Sequence, residues 1–215
     1  MNRRIAALVL AAGGSTRMAP WHKLLLEFDG EPLIRRVVRT ASELPLAALN
    51  VVTGHKHDAL AAALQGLPVR LVFNAEHPGG LASSLSAGLR SLPQDIEGAF
   101  VLLADMPLVT SAHLGLLIEA FERSADIAAC VPVYRGQRGN PVLWSVSCFP
   151  ALCALRGDRG GRLLFPGLGA SLYEVEMPDA GVLLDVDDPA ACRRAEFAGR
   201  FSLPSSSPVT DFPPA

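Results

Sequence analysis

The sequence predicts an α/β fold, a mostly parallel sheet with helices on both faces. Three observations predict it. Short apolar, β-rich runs recur at 5–10, 49–52, 69–73, 100–103 and 127–133. Stretches with helical periodicity lie between them, at 32–41, 57–64, 81–92 and 111–123. Half of the 215 residues are hydrophobic, yet no uninterrupted apolar stretch approaches the ~20 residues that span a bilayer. Strands alternating with helices build a parallel sheet covered by those helices. A chain of this length buries a substantial core, normally in one domain.

The first strand, Ile5-Ala6-Ala7-Leu8-Val9-Leu10, empties into Ala11-Ala12-Gly13-Gly14-Ser15-Thr16-Arg17-Met18, with Lys23 close behind. Paired glycines let the backbone turn tightly and bring its N–H groups up to a phosphate, to which Arg17 and Lys23 add mobile positive charge. The loop lacks both the Gly-Lys-Ser/Thr of a Walker A motif and the Gly-x-Gly-x-x-Gly of a dinucleotide fingerprint. The helix at 32–41 opens on Pro32 in its first turn, and the one at 111–123 is capped by Thr110 or Ser111. After Val133 the rhythm changes. Gly136 and Gly139 flank a turn, 141–144 reads as a returning strand and 148–155 as a helix. A further strand is expected at 182–185 and a last helix at 189–198, so the domain runs over 1–200. Residues 201–215 are rich in Ser and Pro, with too few apolar side chains to order themselves, and are expected to form a disordered tail.

Composition excludes several classes. Only 19% of residues are charged, the net charge is −2, and there is no basic run or aromatic-basic ladder to follow a nucleic acid backbone. Arg3 and Arg4 before an apolar run imitate a secretory signal, but the run passes straight into the glycine loop instead of a cleavage site. Cys130, Cys148, Cys153 and Cys192 show no Cys-x-x-Cys pairing, which points to reduced thiols and a cytoplasmic protein, without a zinc or redox pair. No membrane or nucleic acid partner is expected.

Leu10 to Met18 followed by Lys23-Leu24-Leu25 resembles the signature of MobA-like nucleotidyltransferases, and its Leu-Ala-Ala-Gly form resembles the molybdenum cofactor cytidylyltransferases of that family. The resemblance recurs at Asn74 to Ser84, Leu103-Ala104-Asp105-Met106-Pro107, Arg138-Gly139-Asn140-Pro141, Gly157-Asp158-Arg159-Gly160 and Leu184-Asp185-Val186-Asp187-Asp188-Pro189. It implies a three-layer Rossmann-like nucleotidyltransferase fold with a small acceptor-side insertion. It also implies Mg²⁺ as cofactor, CTP as donor and molybdenum-loaded molybdopterin as acceptor, with a molybdenum hydroxylase or its maturation chaperone as protein partner. GTP as donor, another phosphate acceptor, or a noncatalytic carrier of finished cofactor are the alternatives.

The chemistry of attack on an α-phosphate then assigns roles. The resemblance puts the triphosphate contacts at Arg17 and Lys23, and the loop from Ala12 to Met18, with Gly13, Gly14 and Ser15 at its centre, supplies backbone donors. Asp105 follows the strand at 100–103 by two residues and so stands at the carboxyl end of the sheet, where open α/β folds place their ligands. Mg²⁺ takes few carboxylates beside phosphate oxygens and water, so Asp105 with one more acid suffices. Asp187 is the candidate, Asp185 the next. Asp188 before Pro189 reads as a helix cap. Asn74, Gly80 and Ser83 or Ser84 belong to a stretch assigned to nucleotide binding, with Ala11 and Ala12 as floor near the base. Histidine commonly stands in the family where this chain has Asn140, and an amide cannot titrate near neutral pH. Arg159 and Arg162 suit an acceptor phosphate. His22, His55, His57, His77 and His113 are expected to serve locally.

Overall fold

The computed structural model describes residues 3–202. In chain order its elements are β1 (Ile5–Ala11), β2 (Glu27–Phe28), β3 (Glu31–Pro32), α1 (Leu33–Ser42), β4 (Ala48–Thr53), α2 (His57–Ala63), β5 (Arg70–Phe73), α3 (Leu81–Arg90), β6 (Gly98–Leu103) and α4 (Ser111–Phe121). There follow β7 (Ala129–Tyr134), β8 (Gln137–Arg138), β9 (Val142–Ser145), α5 (Phe149–Cys153), α6 (Phe165–Leu168), β10 (Leu172–Glu176) and β11 (Phe201–Ser202). The main sheet has the order β10-β7-β9-β6-β1-β4-β5, with β8 paired to β7. β1 pairs in parallel with β4 and β6, and only β9, wedged between β6 and β7, and the short β8 run the other way.

All seven residues of β1 are buried, with Ile5, Ala7, Val9 and Ala11 in one core and Leu8 and Leu10 in another. Successive side chains of a strand point to opposite faces, so β1 seals two layers of helices at once. α1, α2 and α4 pack on the first core, α3 and α5 on the second. Gly88 of α3 sits so close to the sheet that a Cβ there would lie 2.9 Å from Val52 and 3.1 Å from Leu8. The sheet order reverses around β1, with β4 and β5 on one side and β6 on the other. Such a switch point opens a crevice at the carboxyl ends of the strands. No described helix is long and apolar enough to cross a membrane.

Three expectations need correcting. The run at 182–185 is not a strand: Ala180–Leu183 forms a 3₁₀ turn held by Asp179, whose carboxylate accepts from Gly181 N at 2.7 Å. The edge position belongs to β10, paired in parallel with β7 and passed over in the sequence because its LYEVE segment is largely exposed. Residues 189–198 form two 3₁₀ turns, Ala191–Arg193 and Ala195–Phe197, instead of one helix. Arg194 turns extended between them, and Phe197 is carried into an edge-to-face cluster with Phe28 and Phe201. Phe201 and Ser202 then pair with Phe28 and Glu27, two residues past the boundary at 200. The Ser/Pro-rich remainder, 203–215, lies outside the described residues.

Candidate active site

The end of β1 and the end of β6 lie side by side, Leu10 opposite Leu103, and from them the chain builds a cavity of about 370 Å³. The loop after β1 forms one wall. Its peptide path is fixed by Ser15, which adopts φ 52°, ψ 35°, a left-handed conformation that costs a non-glycine residue about 1–2 kcal/mol. The Ser15 hydroxyl is buried without a hydrogen-bond partner among the described residues. A Cβ on Gly13 would meet no protein atom within 4 Å. The loop therefore leaves open space in front of its backbone, the shape a phosphate cradle needs.

Opposite the loop, Lys23 joins two acids separated widely in sequence. Its Nζ donates to Asp105 Oδ2 at 2.5 Å and to Asp187 Oδ1 at 2.7 Å, and Arg17 donates to Asp187 Oδ2 at 3.2 Å. Two local devices make the meeting possible. Lys23 opens a 3₁₀ turn anchored by buried Leu24. The Asp187 segment is laced to the Asp105 loop by the bond from Val186 N to Asp105 O at 2.9 Å. Burial by itself raises a carboxyl pKa and lowers an ammonium pKa. At Asp187 the bond and charge of Lys23, then those of Arg17, overcome burial and hold the carboxyl below its ordinary value. For Lys23 burial is likewise overcome by Asp105 first and Asp187 second, and the ammonium is held above its ordinary value. Asp185 goes the other way, raised by burial and by its neighbours Asp187 and Asp105.

The second wall is the segment between β5 and α3. Gly80 takes φ +91°, and a Cβ there would lie 2.6 Å from both Asp158 Oδ1 and the Gly157 carbonyl carbon. Only glycine lets these two segments cross, a crossing closed by Ala82 N donating to Gly157 O at 3.0 Å. Ala11, Ala12, Gly13, Gly14, Ser15, Arg17, Lys23, Gly80, Asp105 and Asp187 all line the cavity. Asn74 and Ser83 do not. Asn74 is buried, its amide donating to Ser83 Oγ at 3.0 Å and Ser84 Oγ at 3.1 Å, while Ser83 Oγ donates to the carbonyls of Gly80 and Glu76. These two side chains hold the wall in shape, and Ser84 is the serine at the cavity. Sequence reasoning missed Asp158 and His77 as lining residues. The nearest signal was the pair of glycines at Gly157 and Gly160, which marks a close approach without saying to what.

Among the described residues no three His, Cys, Asp or Glu form a ready-made metal cage. Asp105 Oδ1 is nonetheless buried with no hydrogen-bond partner. One orphaned carboxylate oxygen beside a second carboxylate fits a hard cation that takes its remaining ligands from phosphate and water.

Alongside lies a second cleft of about 510 Å³, sharing Leu10, Leu81, Leu103 and Asp158 with the first. Its walls are largely apolar, Leu85, Val101, Val142 and Trp144, with Asn140, Arg159 and Arg162 at the rim. Trp144 stacks on Phe165, ring centroids 5.6 Å apart at 26°. Below the phosphate loop His22 is 4% exposed and stacks on His55 at 5.7 Å. Burial pushes its pKa down to about 4, aided by the charges of His55, Lys56 and Lys23 and opposed by the backbone of Gly13.

Comparison with known proteins agrees with this architecture. The sequence profile of the MobA-like NTP transferase domain matches residues 7–172. The purine catabolism protein PucB of Bacillus subtilis is 31% identical over 199 residues, covering 86% of this chain and 92% of PucB. The bifunctional protein GlmU of Legionella pneumophila strain Corby is 36% identical over 144 residues, covering 66% of this chain and only 30% of GlmU. Among solved structures, Rv0371c from Mycobacterium tuberculosis superposes with a TM-score of 0.77 at 25% identity, covering 90% of this chain and 98% of that one. A nucleotidyl transferase from Methanothermobacter superposes with a TM-score of 0.76 at 25% identity, covering 87% and 94%.

Proposed function

The chain belongs to the MobA-like NTP transferase family, and on that premise we propose that it is a Mg²⁺-dependent cytidylyltransferase joining CMP from CTP to the phosphate of molybdenum-loaded molybdopterin, with release of pyrophosphate. The observation that carries this reading is the meeting of Lys23, Asp105 and Asp187 in front of a phosphate loop, with an apolar cleft opening beside them.

In this reading the backbone of residues 13–15 and the side chains of Arg17 and Lys23 bind the triphosphate and hold its α-phosphate toward the cleft. Asp105 and Asp187 hold Mg²⁺, which when bound supplies charge neutralisation at the reacting phosphate and the leaving pyrophosphate. Lys23 brings a fixed positive charge to the same point, so charge that develops there meets a preorganised partner instead of reorienting water. Ala11 and Ala12, small and buried, form the floor beneath the base and leave its identity to backbone groups and pocket width. Their Ala-Ala-Gly form favours cytosine. The neighbouring cleft receives the acceptor. The name of the relative PucB, which places that protein in purine catabolism, is in keeping with a molybdenum hydroxylase or its maturation chaperone receiving the product in the cytoplasm.

A nucleotide panel, with and without molybdenum-loaded molybdopterin, tests the proposal by pyrophosphate release. Release is expected with CTP and only when acceptor is present. Preference for GTP would overturn the base assignment, and indifference to every nucleotide would favour a noncatalytic carrier.

A further inference from the structure

Beyond the apolar cleft lies a third recess, of about 170 Å³, that shares no lining residue with the phosphate-loop cavity and joins the cleft through Asn140 and Arg162. Met106 and Asp185 in its lining adjoin Asp105 and Asp187, and Asp185 feels the charge of both, so the recess abuts the acid pair as well as the cleft. A ligand that fills the cleft reaches the recess past Asn140 and Arg162.

Two guanidiniums line the recess. Arg138 donates its Nε to Glu174 Oε1 at 2.6 Å and lies over the Phe165 ring at 5.6 Å, on the ring that stacks with Trp144. The bond to Glu174 uses one edge of the fork and leaves terminal N–H groups to donate elsewhere. Arg162 has no carboxylate partner and no hydrogen bond among the described residues, and the side-chain carboxamide of Asn140 has none either, its backbone N–H donating to Val182 O. Gly161 beside it presses on Trp144, a Cβ there falling 2.7 Å from the indole, so the chain at 161–162 is seated on the aromatic wall. Asp185 is the one acid of the recess. Glu174 already pairs with Arg138, so Arg162 is the guanidinium of the recess left without a bonded carboxylate among the described residues.

A guanidinium kept close to another, without an acid of its own, is an arrangement that an incoming anion relieves. Resting on the transferase reading for which end of the acceptor reacts, we propose that the acceptor carries a second anionic group, separate from the reacting phosphate. Arg162 and Arg138, with the Asn140 carboxamide, hold it in the recess beside the Trp144 cleft. Arg162 is thereby a specificity determinant for the acceptor. Burial first and the charge of Arg138 second hold the Arg162 pKa below the ordinary arginine value, in keeping with that placement.

The test titrates two probes onto the full chain by calorimetry, without nucleotide: 1-naphthyl phosphate, and the same molecule carrying a sulfonate on its far ring. The sulfonated probe is expected to bind at least 10-fold more tightly, with a preference that shrinks as salt is raised. In Arg162→Ala the ratio of the two affinities falls to near one, and Arg162→Lys restores part of it. Equal affinities in the unaltered protein, or a ratio that survives Arg162→Ala, overturn the proposal. CTP binding is measured in parallel. A protein that shows the probe preference but no CTP affinity upholds the anion site while the cytidylyltransferase reading fails.

Discussion

The phosphate-loop cavity and the Trp144 cleft share a wall, yet they are built on opposite principles. In the first, each cation is already matched to an acid: Lys23 spans Asp105 and Asp187, and Arg17 reinforces Asp187. In the second, an apolar wall of packed side chains does the shaping and the guanidinium of Arg162 has no bonded acid among the described residues. A polyanion that arrives with its own cation can exchange partners with a neutral charge cluster at little cost in desolvation, whereas a varied acceptor is recognised by surface and one or two unsatisfied groups. The charged cavity is thus suited to chemistry and the apolar cleft to selection.

That division can be broken experimentally, and the largest effect should come from Asp105→Asn. Turnover should fall by about 10³-fold, since a group aimed at developing charge acts on the transition state, while the thermal melt stays within a few degrees of the unaltered protein. Near-normal turnover in Mg²⁺ would remove Asp105 from the site. Lys23→Ala and Arg17→Ala should each weaken CTP binding about 10 to 100-fold, the equivalent of a charge-assisted contact of about 1.5–3 kcal/mol. CMP binding should suffer less, and equal losses for both nucleotides would indicate a folding defect.

Trp144 is buried behind the cleft wall and stacks on Phe165, so Trp144→Phe should raise the KM for the acceptor by about 3 to 10-fold through the loss of roughly 0.5–1.5 kcal/mol of the ring packing that shapes the wall, and leave the KM for CTP alone. A rise in the CTP value would show that the two spaces are not separable. Ala12→Gly should let in some GTP, within the ~1–3 kcal/mol that a methyl group contributes to discrimination. Competition between the two nucleotides measures it.

The pH dependence of stability sharpens the same contrast. Asp187 is held below its ordinary value, so its contribution is present above about pH 3.9 and is lost as pH falls through the lower folded value. Lys23 is held above its own, so its contribution is present below about pH 10.4 and is lost only above that. The clamp is therefore insensitive to pH across the neutral range. His22, buried beneath the loop with a pKa near 4, behaves differently. Between about pH 6.5 and 4 the unfolded chain binds a proton there that the folded one refuses, so stability is complete above 6.5 and declines toward 4, by on the order of 2–3 kcal/mol. Urea unfolding at pH 7 and pH 4.5 should show this loss, and His22→Phe should reduce it. An unchanged slope in the variant would assign the loss to other groups.

The order of strand, glycine loop and helix at 5–41, the strand at 100–103 and the acid just past it were all legible in the sequence. Burial of both faces demands continuous apolar runs, and a tight turn demands glycine, so those features are written locally. Local signals failed where distant packing chose the backbone. The 182–185 run is apolar enough for a strand but turns 3₁₀ under an Asp179 cap, and the exposed β10 segment becomes a strand only because β7 offers it an edge. Asn74 and Ser83 belong to a segment that walls the cavity, but which serine faces it depends on the rotation of α3, held by Gly88 against the sheet. By itself the sequence determined the family, the layered α/β plan and the identity of the charged groups, because motif, periodicity and turn chemistry are properties of neighbouring residues. Only the tertiary structure decided that Lys23 meets acids 82 and 164 positions away, and that Trp144 walls a cleft ending at Arg162. Those contacts exist only once β1 and β6 lie side by side, and no spacing along the chain encodes that distance.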